Sequence, residues 1–317
     1  MVGVAGDTLL LMAYTKKLAA TYSIVAVDRE TRTMGAAVQS HYFSVGSVVP
    51  WARPGVGVVV TQSVVNADFG PLGLALLERG LAPPAVLAML LVGDEHPQVR
   101  QVAVISPSGE SASHTGECCI ARAGHLREPF LSVQANMMDR PGVPEAMARA
   151  YRESRGALAE RMFAALQAAE LAGGDLRGRQ SAAMVVVSLD RVASVREGTI
   201  LDLRVEDSRE PLEELNRLIS LHGAYAAAEK GDDALARGDM AGAETAYAEA
   251  RRKAPDNREL QFWEALSRAA AGDIPAGRRA LQDLGRDDPR WIELAGRLAV
   301  TGLIGLDAAG WATLLEQ

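Results

Sequence analysis

The sequence has almost no cysteine, no excess of basic residues and no long apolar run. Only two of its 317 residues are cysteines, and these are neighbours, Cys118 and Cys119. Adjacent cysteines rarely meet disulfide geometry, so we expect two reduced thiols, as in a cytoplasmic protein. The formal net charge of −7 argues against a nucleic-acid surface. No apolar run approaches the roughly 20 residues that span a bilayer, so we expect no membrane partner.

Several familiar site patterns are also missing. The glycines do not have the spacing of a phosphate loop or a dinucleotide-binding turn, and there is no nucleophile elbow. The cysteines follow His114 closely, but no second cluster has metal-ligand spacing, so we expect no metal and no other cofactor. Glu117 beside the cysteines does not favour a reactive thiolate. We therefore interpret Cys118 and Cys119 as buried structural residues.

A length of 317 residues predicts two domains. From Thr21 to Asp190 the chain mixes strand and helix patterns, and a connecting helix is predicted over 211–225. Strands come in groups before and after pairs of helices, which favours stacked sheets flanked by helices over a doubly wound parallel sheet. The predicted strands are 22–28, 34–40, 56–62, 101–106, 111–115, 130–135 and 182–189, and the predicted helices are 71–79, 83–92, 143–153 and 157–172.

The C-terminal third contains almost no strand pattern and repeats at an interval of 34 residues, the period of tetratricopeptide repeats. The matched pairs are Gly238 with Gly272, Tyr247 with Leu281, Ala250 with Leu284, and Pro255 with Pro289. Two units are predicted over 224–257 and 258–291, followed by a degenerate pair or cap over 292–317. Gly277 departs from the pattern, which favours Ala there. The module is interpreted either as a structural or dimerising appendage or as a groove for a peptide or protein partner, and we expect a homo-oligomer.

Thr21 opens a strand that looks buried, and this is the position of greatest chemical interest. A threonine hydroxyl is a weak nucleophile unless a base takes its proton. A free α-amine, with a pKa near ~7.7–8.0, is suited to that role, but inside a chain it is an amide. The mechanism therefore requires Thr21 to become the first residue of the mature protein.

Twenty residues precede Thr21. They include a short apolar run over 8–14, but Asp7 precedes that run and Lys16 and Lys17 follow it, which does not favour a secretory signal. Met12 as the true start and a removable propeptide both remain open. We expect a cytoplasmic protein, or an exported one if residues 1–20 are a leader.

Polar side chains occur near the ends of several predicted strands. Amides there can stabilise a developing oxyanion, arginines can clamp a substrate carboxylate, and the alternative is local turn-making or loop salt bridges. The candidate catalytic residues are Thr21, Asn66, Gln134 and Asn136, and the candidate substrate-binding residues are Ser40, Gln62, Asp175, Arg177 and Arg179.

These motifs together resemble a known family. They are the stretch 21–28, Gly46-Ser47-Val48-Val49-Pro50, Thr61-Gln62, Asn66, Gly70-Pro71, His114-Thr115-Gly116, Ser132-Val133-Gln134-Ala135-Asn136 and the segment 173–183. Over about 21–222 the sequence is similar to the bacterial domain-of-unknown-function family ten-twenty-eight, grouped with the N-terminal nucleophile (Ntn) hydrolases. The resemblance implies an α+β fold, a four-layer αββα sandwich over 21–222. The 34-residue interval predicts that an all-α helical-repeat domain follows over 223–317. The resemblance also implies that Thr21 becomes exposed by removal of the preceding residues.

Two hypotheses follow. The first is an Ntn-type amidohydrolase that acts on a small amide or peptide-like substrate, with the repeats recruiting a partner or substrate. The second is a catalytically silent Ntn-like domain that acts in binding or assembly.

Overall fold

The structure is a computed structural model, and it describes residues 18–19 and 21–316. The apolar run over 8–14 and the rest of the predicted leader before Leu18 lie outside the described residues. Within the described part of the chain, no helix is both long enough and apolar enough to cross a membrane.

The fold contains two antiparallel sheets. The first has the order β1-β5-β6-β7, and β4 also pairs with β5; these strands are β1 (Leu18–Ala19), β4 (Pro50–Arg53), β5 (Gly57–Val64), β6 (Arg100–Ile105) and β7 (Ser111–Thr115). The second has the order β11-β10-β3-β2-β9-β8; these strands are β2 (Thr21–Asp28), β3 (Thr33–Ser40), β8 (Gly124–Glu128), β9 (Leu131–Ala135), β10 (Ser181–Ser188) and β11 (Thr199–Val205).

The two sheets contact each other across an apolar cluster, and helices pack on both sheets. Val25 and Val38 from the second sheet and Val60 and Ile105 from the first are fully buried in that cluster. The helices α1 (Phe69–Glu78) and α2 (Pro83–Val92) pack on the first sheet, and α3 (Val143–Glu153) and α4 (Leu158–Leu171) pack on the second. The short helix α5 (Val195–Gly198) precedes β11. The α+β prediction is therefore confirmed at the level of two antiparallel sheets with helices.

Both strands of the β2–β3 hairpin are buried along their whole length, whereas the turn between them is exposed. Asp28 begins its turn by accepting a hydrogen bond from the backbone N–H of Glu30 at 2.9 Å, as Asx turns do. Gly35 lets the neighbouring strand approach, because an added Cβ would lie 2.3 Å from the carbonyl oxygen of Val185. Local turn chemistry and close packing thus fix the register that pairs Thr21 with Ser40.

The predicted strands and helices of 21–190 all occur, with ends within two residues of the predicted ones. The helix predicted over 211–225 is longer, since α6 runs from Pro211 to Ala236. The sequence did not indicate β1, β4, β8 or β11. Two to seven residues long, they lack the uniformly buried pattern of β2 and β3.

The chain divides into two compact units between Arg217 and Leu218. The C-terminal unit is helical in its described part. It contains the end of α6 and the helices α7 (Met240–Lys253), α8 (Arg258–Ala270), α9 (Ile274–Asp287), α10 (Arg290–Leu298) and α11 (Ala308–Leu315).

The 34-residue interval of the sequence corresponds to matched helix starts. Asp239 and Asp273 each cap a helix, accepting hydrogen bonds from Gly242 N at 2.9 Å and Ala276 N at 3.2 Å. Such a cap satisfies one of the free N–H groups of a first helical turn. The repeated Gly-Asp pair is therefore explained by helix termination and initiation.

Gly277 is required by the packing of α8 on α9. A Cβ at this position would lie 2.5 Å from the carbonyl oxygen of Ala265 and 2.9 Å from the Cβ of Ala269. The nearest obstacle is backbone, which cannot rotate away. This explains why Gly stands where the repeat pattern favours Ala.

We predict that Gly277→Ala destabilises the C-terminal unit, by about 1–2 kcal/mol. Overpacking costs about 1–3 kcal/mol, and the better helix propensity of Ala returns up to about 1 kcal/mol. Gly296 in α10 is the matched control, because no described residue lies within 4 Å of its added Cβ. Hydrogen exchange of the full chain should show faster opening of α8 and α9 only for Gly277→Ala. Equal behaviour of both variants would contradict the packing explanation.

Candidate functional site

Thr21 is completely buried at the start of β2. Its hydroxyl Oγ1 donates to the carbonyl oxygen of Ala19 at 2.6 Å and lies 3.2 Å from Ser40 Oγ. Ala19 belongs to the first sheet and Thr21 to the second, so the chain passes from one sheet to the other between them. The hydroxyl therefore faces the segment that precedes it.

The carbonyl oxygen of Thr21 is held by residues from both sheets. It accepts the backbone N–H of Asn136 at 3.0 Å, Asn136 Nδ2 at 3.4 Å and Gln62 Nε2 at 3.4 Å. Asn136 follows β9 in the second sheet, whereas Gln62 lies on β5 in the first. In the described chain these amides fix the position of Thr21, and their N–H groups are already engaged.

Gln101 on β6 connects these groups. Its Oε1 accepts Gln62 Nε2 at 2.7 Å and Asn136 Nδ2 at 3.0 Å. Its Nε2 donates to Thr115 Oγ1 at 2.8 Å and to the carbonyl oxygen of Ala135 at 2.9 Å. Both ends of one buried amide are thus used, and they join strands of both sheets.

Ser23 completes the buried polar network. Its Oγ lies 2.7 Å from Gln62 Oε1 and 3.0 Å from Gln134 Oε1. We did not anticipate Ser23 or Gln101 from the sequence, although signals existed. Ser23 lies two residues after Thr21 and so on the same face of the strand, and Gln101 is a polar residue at the start of an otherwise apolar strand.

The network reaches a histidine through Thr115. Thr115 Oγ1 lies 2.8 Å from His125 Nδ1. Burial lowers the pKa of His125 below its ordinary value, and the charges of Arg127 and His114 act in the same direction. The imidazole is therefore neutral at pH 7 and can accept or donate within the network.

Two buried amides differ from Gln101 because parts of them have no hydrogen-bond partner among the described residues. Gln39, which pairs with Tyr22 across the sheet, has neither Nε2 nor Oε1 satisfied and is fully buried. Asn136 Oδ1 is also buried and unsatisfied. A buried polar atom without a hydrogen bond lowers the free energy of unfolding, because its lost hydration is not replaced by a contact within the protein.

Asn66 has a different set of partners from the other candidate catalytic residues. Its Nδ2 donates to Asp94 Oδ2 at 2.9 Å, and Arg100 pairs with the same carboxylate at 3.1 Å. The side chains of Asp94 and Arg100 are only 3% and 9% exposed. Asn66 thus supports a buried ion pair, and none of its hydrogen bonds within the described chain is made to Thr21 or Gln101.

The candidate substrate-binding residues after α4 are engaged in ion pairs. Arg177 pairs with Asp175 at 2.9 Å, and Asp175 Oδ2 accepts the backbone N–H of His41 at 3.1 Å. Arg179 pairs with Glu170 at 3.0 Å and also with Glu210. Neither guanidinium is therefore free to clamp a substrate carboxylate without giving up an existing partner.

Tyr22 links this charged group to β2. Its hydroxyl donates to Glu170 Oε2 at 2.6 Å. Burial, followed by the charge of Glu170, holds the pKa of Tyr22 well above its ordinary value. The phenol therefore stays protonated and remains a donor throughout the physiological range.

The interpretation of the two cysteines as buried was wrong. Cys118 is exposed and Cys119 is half-buried, because they lie in the turn that follows β7 at the end of the sheet. Neither forms a disulfide. Burial raises the pKa of Cys119, which keeps this thiol protonated and unreactive at neutral pH.

We predict that Gln101→Met lowers the stability of the protein, whereas Gln39→Met does not. Gln101→Met leaves at least two buried partners unsatisfied and should cost about 2–4 kcal/mol, whereas Gln39→Met removes an unsatisfied amide of similar size and should be neutral or stabilising. Chemical denaturation of the full chain, followed by intrinsic fluorescence, measures both. A large cost at Gln39 would show that its amide has partners in solution.

Asp94 should confer acid sensitivity. Burial alone would raise its pKa, but hydrogen bonds from Asn66, the backbone of His96 and Arg100 outweigh burial and lower it. A depressed folded-state pKa gives stability that is present above the unfolded value, near ~3.9, and is lost as pH falls through the folded value.

The test is Asp94→Asn, which should cost about 3–5 kcal/mol at pH 7 because Arg100 stays buried without its counter-charge. Unfolding of Asp94→Asn should then depend less on pH below about 4 than that of the wild type. Asp190→Asn is the control, since the pair of Asp190 with Arg32 is exposed and should change neutral stability little. Equal costs at both positions would refute the importance of burial.

Comparison with known proteins gives a family but no activity. The model described as "Family of unknown function (DUF1028)" matches residues 21–215. Among solved structures, the chain is similar to a crystal structure of protein SPO2555 from Silicibacter pomeroyi, itself assigned to DUF1028. The two are 28% identical with a TM-score of 0.57, over 63% of this chain and 87% of that one. No curated protein matches the chain.

Proposed function

Because the chain belongs to this family of unknown function, we propose from its own residues that it is an Ntn-type amidohydrolase that acts on a small amide or peptide-like substrate. In this proposal Thr21 supplies the nucleophile, and its α-amine supplies the base once the preceding residues are removed. The arrangement of two facing sheets with helices on both is consistent with the four-layer αββα sandwich of Ntn hydrolases.

One observation carries the proposal. The hydroxyl of Thr21 is fully buried among polar side chains at the start of β2, and it lies 2.6 Å from a backbone carbonyl of the segment that precedes it. The inter-sheet cluster beside it is otherwise apolar. If a substrate is to take the place of the preceding backbone, we expect the Thr21 hydroxyl to face that backbone. We also expect amides and hydroxyls around it, as observed.

The proposed chemistry is acyl transfer followed by hydrolysis. The free α-amine takes the proton of Thr21 Oγ1, the oxygen attacks the substrate carbonyl, and the proton passes to the departing amine as the C–N bond breaks. Water then cleaves the resulting ester, giving a carboxylic acid and restoring the hydroxyl. The net reaction consumes one amide and one water.

Asn136 and Gln62 position the nucleophile in this scheme by holding the Thr21 carbonyl. Asn136 Oδ1 is a buried acceptor without a partner among the described residues. A protonated α-amine would add donors to the residue whose carbonyl Asn136 already holds, and we propose that Asn136 Oδ1 accepts one of them. Gln134 and Ser40 are proposed to orient Ser23 and the Thr21 hydroxyl, whereas Asn66 acts on the Asp94 ion pair.

The C-terminal helices are proposed to be tetratricopeptide-like repeats that recruit a partner or substrate. The support is the 34-residue spacing of the capping residues Asp239 and Asp273. The domain limits 21–222 and 223–317, a cytoplasmic location and a homo-oligomeric state are likewise retained as proposals.

The first test is the N-terminus of protein isolated from its own host. Intact mass and N-terminal sequencing should show a chain that begins at Thr21. Active protein that retains the bond before Thr21 would refute the mechanism.

The second test uses p-nitrophenyl acetate as an acyl donor for the mature protein. Wild type and Thr21→Ser should give a burst of about one p-nitrophenol per chain, with one acetyl group on the N-terminal peptide. Thr21→Val keeps the shape but lacks the hydroxyl, so it should lose the burst and at least about a thousandfold of any amidase rate.

The binding or assembly alternative has its own signature. Thr21 is buried while the preceding segment is attached. If that segment is never removed, this burial favours the binding or assembly alternative. In that case Thr21→Val would leave the cellular phenotype unchanged, whereas breaking the helices of 224–291 would abolish it.

A further inference from the structure

The strand β1 occupies the end of β5 next to Thr21. Leu18 pairs with Val64 and Ala19 with Ser63 in antiparallel register. The other part of the same strand is covered by β4, which pairs with residues 57–60. If the segment before Thr21 departs, the backbone of Ser63 and Val64 loses its partner on this edge.

Ala19 also fills a defined space. It is fully buried in the apolar cluster between the sheets, whereas Leu18 is only half-buried. Its departure would empty the space of its methyl group in this cluster and remove the carbonyl oxygen to which the Thr21 hydroxyl donates. An unpaired strand edge next to such a space is a template for an extended peptide.

We propose that the substrate of this site is an extended peptide that takes the place of β1. This inference rests on the proposed function and names its substrate class. The peptide adds to β5 as an antiparallel strand at Ser63 and Val64. A small residue fills the space of Ala19 and is the second residue before the amide bond that Thr21 attacks. The third residue before that bond, at the position of Leu18, is only loosely specified.

The geometry gives each subsite a separate consequence. Backbone pairing requires free N–H and C=O groups on the peptide, and in an antiparallel ladder only alternate residues exchange hydrogen bonds with a given neighbour. The space of Ala19 lies inside a close-packed cluster, so a larger side chain must overpack it. Backbone and side-chain contributions can therefore be measured independently.

The experiment uses mature protein from the host and fluorogenic peptide amides that carry the chain's own residues 18–20. The reference is acetyl-Leu-Ala-Ala-aminomethylcoumarin. A second peptide carries Leu in place of the first Ala, a third carries Gln in place of the Leu, and two more carry a single N-methyl group on the Leu or on the first Ala. Acetyl-aminomethylcoumarin, which has no peptide strand, is the simple amide control.

The reference peptide should be hydrolysed with the highest kcat/KM. The bulky Leu variant should lose at least about tenfold, and the Gln variant should lose little. N-methylation should lower kcat/KM by about tenfold at one of the two positions only, because only one of these N–H groups can face β5.

The contrary outcomes separate the two proposals. Equal rates for the reference, bulky and both N-methylated peptides, or preference for acetyl-aminomethylcoumarin, would overturn the peptide-strand inference while leaving the amidohydrolase standing. If neither the peptides nor the simple amide is hydrolysed and p-nitrophenyl acetate gives no burst, the amidohydrolase itself fails, and the inference fails with it.

Discussion

The hydrogen bonds of Gln101 are the interaction on which the arrangement around Thr21 depends. This one amide contacts Gln62 on β5 of its own sheet, Asn136, which follows β9 of the other sheet, and Thr115 on β7. Gln62 and Asn136 in turn hold the carbonyl of Thr21. Without Gln101, each of these side chains would lose a buried partner, and the side-chain amides of Gln62 and Asn136 would hold the Thr21 carbonyl less firmly.

A polar network of this kind is stable only when nearly all of its members are paired. Most of the space between the sheets is filled by Val, Ala and Ile, which need no partners. The network around Gln101 lies at the end where β1, β2, β5 and β6 meet. Burying so many polar side chains in one place does not favour stability. A chemical role of the site would explain why they are there. Gln39 lies on the opposite face of the hairpin and has no hydrogen-bond partner in the part of the chain that the structure describes, so not every buried amide in this fold belongs to the network.

The elements of the fold could be predicted from local patterns, but the site only in part. Apolar runs bounded by turn residues located β2, β3, β5, β6 and β10, because these strands are buried on both faces. The exposed β11 and the two-residue β1 carry no such pattern. Thr21, Ser40, Gln62, Gln134 and Asn136 were found as polar residues near strand ends, and the structure brings them together.

The remaining site residues depend on long-range pairing that no local pattern reports. Asn66 donates a hydrogen bond to Asp94, 28 residues away, and Arg179 forms ion pairs with Glu170 and Glu210. Gln101 and Ser23 were overlooked because Gln101 lies near the start of an apolar strand and Ser23 lies inside one. Only the pairing of the sheets shows that both side chains meet Gln62. The exposure of Cys118 likewise depends on where the turn after β7 lies relative to solvent.

Ala19 pairs in the first sheet and Thr21 in the second, and the continuity of the chain between these two sheets has a kinetic consequence for maturation. A tethered strand competes for its edge at an effective concentration in the millimolar range, whatever the abundance of the protein. Once severed, β1, for which the described chain shows two residue pairs with β5, is diluted into the surroundings and has no comparable means of return. Opening of the site would then occur once and irreversibly in each molecule. The fraction of open molecules would depend on the time since synthesis and not on an equilibrium.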